Sequence, residues 1–125
     1  MIDNQKFFRC KKCGNLVGLI QNAGVPLVCC GEPMEELVPN TTDASAEKHV
    51  PVVTASGDKI TVKIGSAPHP MIKEHLIKWI YLQTKLGGQR KALWDGQAPE
   101  VTFSLVNDEA VAAFAYCNLH GLWKA

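Results

Sequence analysis

Four thiols crowded between positions 10 and 30, those of Cys10, Cys13, Cys29 and Cys30, constrain the start of this chain more than any other feature. The segment around them reads as short strand-like pieces broken by Gly and Pro, namely Phe7-Phe8-Arg9, Leu16 to Ile20 and Val25 to Val28. Such pieces bury too little apolar surface to fold unaided, because domains below roughly 40 residues usually need a covalent or metal staple. Cys10-Lys11-Lys12-Cys13 followed by Gly14 forms a C-x2-C knuckle whose glycine permits the turn that aims backbone N–H groups at sulfur. Cys29 and Cys30 bring the set to four thiolates, enough for a tetrahedral metal site, with a vicinal Cys29–Cys30 disulfide as the competing arrangement. Adjacent cysteines are too close to repeat the knuckle turn, so their sulfurs should be splayed into a distorted tetrahedron. Four thiolates suit zinc and iron alike.

The compartment bears on that choice. Met1 to Lys6 carries an acid and no apolar leader follows it, and no later stretch approaches a membrane span, so a cytoplasmic protein is expected. In a reducing cytoplasm the 5 cysteines, an odd number, make a poor disulfide framework and a good metal inventory. A net charge of +1 without any basic block gives no reason to expect a nucleic acid partner.

Past Val38 the composition changes. Residues 39–46, with Asn40-Thr41-Thr42-Asp43-Ala44-Ser45, are polar and turn-prone and read as a linker between a small domain over 1–38 and a larger one over 47–125. In the larger part Lys59 to Ile64 alternates polar and apolar residues, and His75 to Leu82 is a run rich in aromatic and branched side chains. Further runs at Arg90 to Trp94, Val101 to Leu105 and Ala110 to Cys117 are separated by Gly87-Gly88 and Asp95-Gly96. Strands at this spacing predict an antiparallel sandwich. Asn107 to Phe114 has the cap, acids and alanines of a helix, and is assigned to a strand because its neighbours are strands.

All 4 histidines, His49, His69, His75 and His120, fall in this second part. His69 lies between Pro68 and Pro70, which stiffen its backbone, and His120 follows Cys117 by three positions. Taken singly, each histidine is better read as a partly exposed residue with an ordinary hydrogen bond. Together with Cys117 they make four neutral imidazoles and one thiolate. That set suits a redox iron better than zinc and leaves one octahedral position open. A dication on it has formal charge +2 − 1 = +1, and Lys48 beside His49 adds another positive charge, so a small anion is the natural visitor.

These residues resemble a known family over nearly the whole chain. The matching pieces are Cys10 to Asn15, Val28 to Met34, Glu47 to Val52, Pro68 to Met71, His75 with Trp79-Ile80, and Tyr116 to Ala125. The chain is similar to desulfoferrodoxin, the superoxide reductase class with two iron centres. The resemblance implies a desulforedoxin-like domain with iron on Cys10, Cys13, Cys29 and Cys30. It further implies an immunoglobulin-like β-sandwich with iron on the nitrogens of His49, His69, His75 and His120 and on the axial sulfur of Cys117.

Within that family the ferrous centre reduces superoxide to hydrogen peroxide without releasing dioxygen, a rubredoxin-like carrier returns the electron, and homodimers are usual. The resemblance assigns Glu47 as the carboxylate that can take the sixth position in the ferric resting state. It also allows a calcium at a subunit contact, for which no acidic cluster is visible. Lys48 is assigned to attraction of superoxide, and the N–H groups of Leu119 and His120 to hydrogen bonds with the Cys117 sulfur. Leu76 stands where the family pattern has an aromatic residue, and Gln83 to Leu93 follows no pattern of the family. The competing classes are an electron-transfer iron protein without catalysis and a structural zinc module that binds a protein partner; the five-ligand count argues against both.

Overall fold

The computed structural model describes residues 4–125, so Met1 to Asp3, on which part of the no-leader expectation rests, lie outside the described residues. The chain is mainly β and divides into two compact units, the second being Pro39–Ala125.

In the first unit β1 (Lys6–Arg9), β2 (Leu16–Leu19), β3 (Val28–Cys29), β4 (Glu32–Pro33) and β5 (Glu35–Glu36) are all short. β1 pairs antiparallel with β2 and with β5, and β3 pairs with β4 in a separate two-stranded ladder. The expected strand at Val25 to Val28 starts only at Val28. Burial in this unit is shallow, with Phe7 and Cys10 its only fully covered hydrophobic side chains among the described residues. A unit with so little covered apolar surface depends on whatever gathers its thiols.

The second unit opens on a single helical turn, α1 (Ala46–His49), followed by β6 (Pro51–Ser56), β7 (Lys59–Ile64), β8 (Ile77–Thr84), β9 (Gly87–Ala92), β10 (Glu100–Ser104), β11 (Ala110–Cys117) and β12 (Gly121–Lys124). Two antiparallel sheets result, one ordered β10-β7-β6 and the other β12-β11-β8-β9. Three strands facing four in this order make an immunoglobulin-like sandwich. Alternation in β7 turns Ile60, Val62 and Ile64 inward, where they meet Ile77, Ile80 and Leu82 of β8, Phe103 of β10 and Ala113, Ala115 and Cys117 of β11. Cys117 is therefore a core residue of the sandwich as well as the last residue of its strand.

Several boundaries differ from the sequence expectation for local reasons. Asn107 has a positive φ of 53°, and the Asp108 carboxylate accepts the N–H groups of Glu109 and Leu86, so this stretch is a turn and β11 starts at Ala110. Gly87 and Gly88 lie in β9 rather than in the turn before it. A side chain on Gly88 would collide with the Tyr81 ring, so the glycine is a packing requirement of the β8–β9 pair. His75 does not open β8; it forms an isolated bridge with Ile72 and stands two residues ahead of the strand. Residues 39–46 fall with the second unit, and Asn40 acts as an extra edge partner of β12. Its N–H donates to Leu122 O at 3.0 Å, and its side chain exchanges hydrogen bonds with the backbone of Lys124. No helix is long and apolar enough to cross a membrane among the described residues.

Phe103 is completely buried at the centre of the sandwich. Phe103→Ala should lower the unfolding free energy by about 3–5 kcal/mol, read as a denaturation midpoint followed by circular dichroism.

Candidate metal centres

In the first unit the ligand atoms of Cys10, Cys13, Cys29 and Cys30 all lie within 4.8 Å of one another. The knuckle forms as expected: Gly14 takes φ of 81°, its N–H bonds Cys10 O at 2.9 Å, Cys13 N–H points at Cys10 Sγ at 3.5 Å and Asn15 N–H at Cys13 Sγ at 3.4 Å. The second pair of thiols uses another device. Cys30 and Gly31, with φ of 53° and 76°, form the two-residue loop between β3 and β4, a primed hairpin turn. That turn swings Cys30 Sγ to 4.0 Å from Cys29 Sγ, while Cys13 and Cys29 sulfurs are 3.6 Å apart. All five cysteines are free, and 4.0 Å is far from the ~2.05 Å of a vicinal disulfide. Sulfurs ~2.3 Å from a tetrahedral metal would stand ~3.8 Å apart, and the separations of 3.6 and 4.0 Å bracket that value.

The thiols compete for protons. The N–H of Cys13 holds Cys10 down to about 6, whereas Cys30, crowded by the thiols of Cys13, Cys10 and Cys29, is pushed up to about 12. A dication removes that opposition by favouring every thiolate.

At one end of the sandwich the four imidazoles converge. Neighbouring rings are 4.6 Å apart for His49–His69, 4.8 Å for His69–His75, 5.0 Å for His75–His120 and 4.9 Å for His49–His120. The diagonal His49–His75 is longer, at 6.4 Å. Adjacent planes are nearly perpendicular, and the arrangement is a square.

The proton positions follow from the outer hydrogen bonds. His49 Nδ1 lies 2.6 Å from Ser45 O and His69 Nδ1 lies 2.6 Å from Pro70 O. A carbonyl only accepts, so both Nδ1 atoms carry hydrogen and both Nε2 atoms carry lone pairs. Those two Nε2 atoms face each other at 3.1 Å, and His120 Nδ1 is likewise 3.1 Å from His49 Nε2. Nitrogens ~2.1 Å from a metal at right angles would be ~3.0 Å apart, whereas tetrahedral angles would give ~3.4 Å. His75 Nε2 is buried and without a hydrogen-bond partner. Cys117 Sγ shares the cluster, 3.9 Å from His120 Nδ1. An orphaned ring nitrogen and facing lone pairs are what a bound metal ion would satisfy, and the donor set fits one.

Burial disfavours the charged form of His49, His69 and His75, and pushes His69 down to about 4. These three rings are therefore neutral at ordinary pH and can offer lone pairs to a cation. Burial raises the Cys117 thiol, while the N–H groups of Leu119 and His120 draw it back towards the thiolate. Lys48 is exposed and directly precedes His49 on α1, and its charge adds a little to the burial that disfavours protonation of His49 and His75. Glu47 is exposed too, its carboxyl held below the usual range by the Ser45 side chain, its own N–H and the charge of Lys48. Among the described residues the only groups of three or more His, Cys, Asp or Glu whose ligand atoms lie mutually close are the four cysteines and the set His49, His69, His75 and Cys117, to which His120 Nδ1 is joined by its short distances to His49 Nε2 and Cys117 Sγ.

Comparison with known proteins matches residues 41–125 to the model of the desulfoferrodoxin family and residues 3–37 to that of the desulfoferrodoxin N-terminal domain. The chain belongs to the desulfoferrodoxin family. It is 46% identical to the desulfoferrodoxin of Nitratidesulfovibrio vulgaris over 127 aligned residues, covering 100% of this chain and 98% of that one. Its structure superposes on the superoxide reductase from Treponema pallidum with a TM-score of 0.83 at 40% identity, covering 98% and 99% of the two chains. The one-iron superoxide reductase from Giardia intestinalis matches 63% of this chain and 95% of its own length, with a TM-score of 0.54 and 32% identity.

Three residues that hold this desulfoferrodoxin site were given no role by the sequence, although Asn118 and Trp123 lie in a stretch that carries the family resemblance. Trp123 stacks on His49 with ring centroids 4.8 Å apart and donates its indole N–H to His120 O at 3.1 Å, so one side chain supports two imidazoles. Asn118 clamps the His75 turn from both sides: its Oδ1 accepts Leu76 N–H at 3.0 Å and its Nδ2 donates to Glu74 O at 2.9 Å. Gly65, at φ of 82°, lets Gly65 N–H reach Val50 O and Ala67 N–H reach Glu47 O, which docks α1 and the ring of His49. A polar residue between two candidate ligands and a glycine ending a strand were the available signals.

A β-carbon on Gly65 would meet the carbonyl oxygen of Ala67 and, at 2.8 Å, that of Glu47. Gly65→Ala should empty the histidine cluster of metal while the four-cysteine centre stays filled, as metal analysis and the two absorption spectra would show.

The lowered histidines also set the sign of a pH effect. In metal-free protein the unfolded imidazoles, at ~6.5, bind protons that the folded ones refuse. Their contribution is full above ~6.5 and is lost as pH falls towards the folded value of about 4 for His69. Denaturation of chelator-treated protein should show a lower midpoint at about pH 5 than at about pH 7.5, and His69→Gln should narrow that gap.

Proposed function

We propose that this chain is a superoxide reductase with two mononuclear iron centres, one on Cys10, Cys13, Cys29 and Cys30 and the catalytic one on His49, His69, His75, His120 and Cys117. The observation that carries the reading is the square of imidazoles with a buried thiol beside it and a lysine charge close by. The two 3.1 Å nitrogen–nitrogen edges that meet at His49 suit right-angled coordination, as iron with five protein ligands would have, better than tetrahedral zinc. Small domain 1–38 holds the four-sulfur centre and 47–125 forms the catalytic domain, with 39–46 as the connection, packed with the latter.

When bound, ferrous iron supplies the single electron that superoxide takes up, together with two protons, to become hydrogen peroxide. The protein's part is electrostatic and positional. Lys48 raises the local concentration of the anion and orders water that delivers protons, while Glu47 would be the carboxylate available to the oxidised centre. Leu119 and His120 N–H groups disperse charge on the Cys117 sulfur and so tune the potential of the centre. His49 and His69, tied at Nδ1 to carbonyls, cannot swing away or take up the incoming protons at those atoms. A rubredoxin-like carrier restores the electron, the protein works as a homodimer, and five free thiols suit a reducing cytoplasm. The calcium that the family resemblance allows finds no third cluster of acids among the described residues.

Pulse radiolysis of the reduced, iron-loaded protein tests the activity. Superoxide should disappear in a second-order reaction yielding peroxide and no dioxygen; dioxygen evolution, or inertness, would sink the proposal. Lys48→Ala should slow that step several-fold at low ionic strength and flatten its salt dependence, and an unchanged rate would remove the steering role.

A further inference from the structure

On the outer face of the four-stranded sheet, where β8 and β9 run up to the His75 turn, lies a recess of about 410 Å³. Its polar lining is one-signed: Lys73, Lys78 and Arg90 contribute to the wall, and no carboxylate does. None of these three cations has an ion-pair partner among the described residues, although four other lysines are paired. Two tryptophans complete it. Trp79 forms the floor, stacked on Tyr116, and Trp94 stands at the rim with 68% of its surface exposed. An exposed indole ringed by cations without counter-ions is well suited to contact with an anionic partner.

The position of the recess is informative as well. Asn118 lines it and is covalently next to Cys117; Leu76 lines it and is next to His75. A group seated there is thus one residue from two of the five ligands of the histidine cluster, on the strand-end side that carries the thiol. Lys48 lies on α1, outside the recess lining. We propose that this recess docks the acidic face of a small one-electron carrier protein, and that the electron enters the centre through Asn118 and Cys117.

The inference rests on the reading of the centre as a turnover site that must be re-reduced, and it adds where the reductant binds. In the step the reduced carrier loses one electron and the ferric centre gains it, with no bond made or broken. Because docking uses the sheet face and leaves the Lys48 side free, donor and superoxide do not compete. Charge complementarity makes the encounter fast and salt-sensitive.

The test uses full-length, iron-loaded protein with Lys78→Glu and Arg90→Glu combined, neither residue touching the metal ligands. Reduction by an acidic rubredoxin, followed by stopped flow at low salt, should slow at least tenfold and lose most of its salt dependence. Reduction by ascorbate and the radiolytic reaction with superoxide should be unchanged. Titration with oxidised rubredoxin, followed by NMR, should perturb Trp94 in the parent protein and not in the variant. An unaltered rubredoxin rate, shifts confined elsewhere, or a change of oligomeric state in the variant, marking the recess as a subunit contact, would each overturn the proposal. Failure of the parent protein to reduce superoxide would instead overturn the activity, a result that leaves the rubredoxin titration readable by itself.

Discussion

Two unprotonated ring nitrogens facing each other across 3.1 Å are the constraint around which the second unit is built. Left to themselves, neutral imidazoles would rotate so that an N–H meets a lone pair. Ser45 O and Pro70 O prevent this by taking the only hydrogen each ring has. The chain thus forgoes a His–His hydrogen bond to keep two lone pairs aimed at one point, and a third nitrogen, from His120, at the same distance. Such an arrangement is stable only if surrounding packing enforces it or a cation occupies the point, and this protein provides for both.

Enforcement comes from the sandwich. The ligands originate at one end of the two sheets: His49 at the end of α1, His69 and His75 in the connection between β7 and β8, Cys117 and His120 across the β11–β12 turn. Loops alone would give such residues too much freedom. Each is fastened to something rigid, His49 through Gly65 and the Trp123 stack, His69 through Pro70 O, His75 through the Asn118 clamp, Cys117 through its place in the core and His120 through the Trp123 indole N–H. Asn118 joins the thiol and the His75 turn directly, since it follows Cys117 in the chain and brackets His75 by hydrogen bonds to Glu74 and Leu76. The position of one ligand is in this way a condition on the position of another.

What could be read from the sequence followed from residue chemistry and alternation. β7 was legible because Ile60, Val62 and Ile64 alternate with Lys59, Thr61 and Lys63, whereas β11, whose alanines also suit a helix, was legible only from the strands around it. Both ligand sets were legible because Cys and His are so few that their inventory nearly defines the sites. The supports were not. A four-residue turn such as α1 has no periodicity to detect, and the left-handed Cys30 that separates the vicinal sulfurs is an unusual residue for that conformation. Trp123 and Asn118 look like ordinary core and loop residues until the fold brings His49 and Glu74 to them. Register and long-range contact carry that information, and neither is written in local pattern.

The two centres, though carried by one chain, would present opposite charges to solvent. Any dication held by Cys10, Cys13, Cys29 and Cys30 has formal charge +2 − 4 = −2, and with Cys13 and Cys30 exposed that charge is felt by whatever approaches. The same ion on four imidazoles and Cys117 has charge +1, with Lys48 adding to it. An anionic substrate is therefore repelled by the more accessible centre and drawn to the less accessible one. Choice of ligand type, thiolate against neutral imidazole, decides which centre an anion can reach before any difference in pocket shape matters. Neutrality of the rings is what makes this work, and burial, which lowers the proton affinity of His49, His69 and His75, is what keeps them neutral.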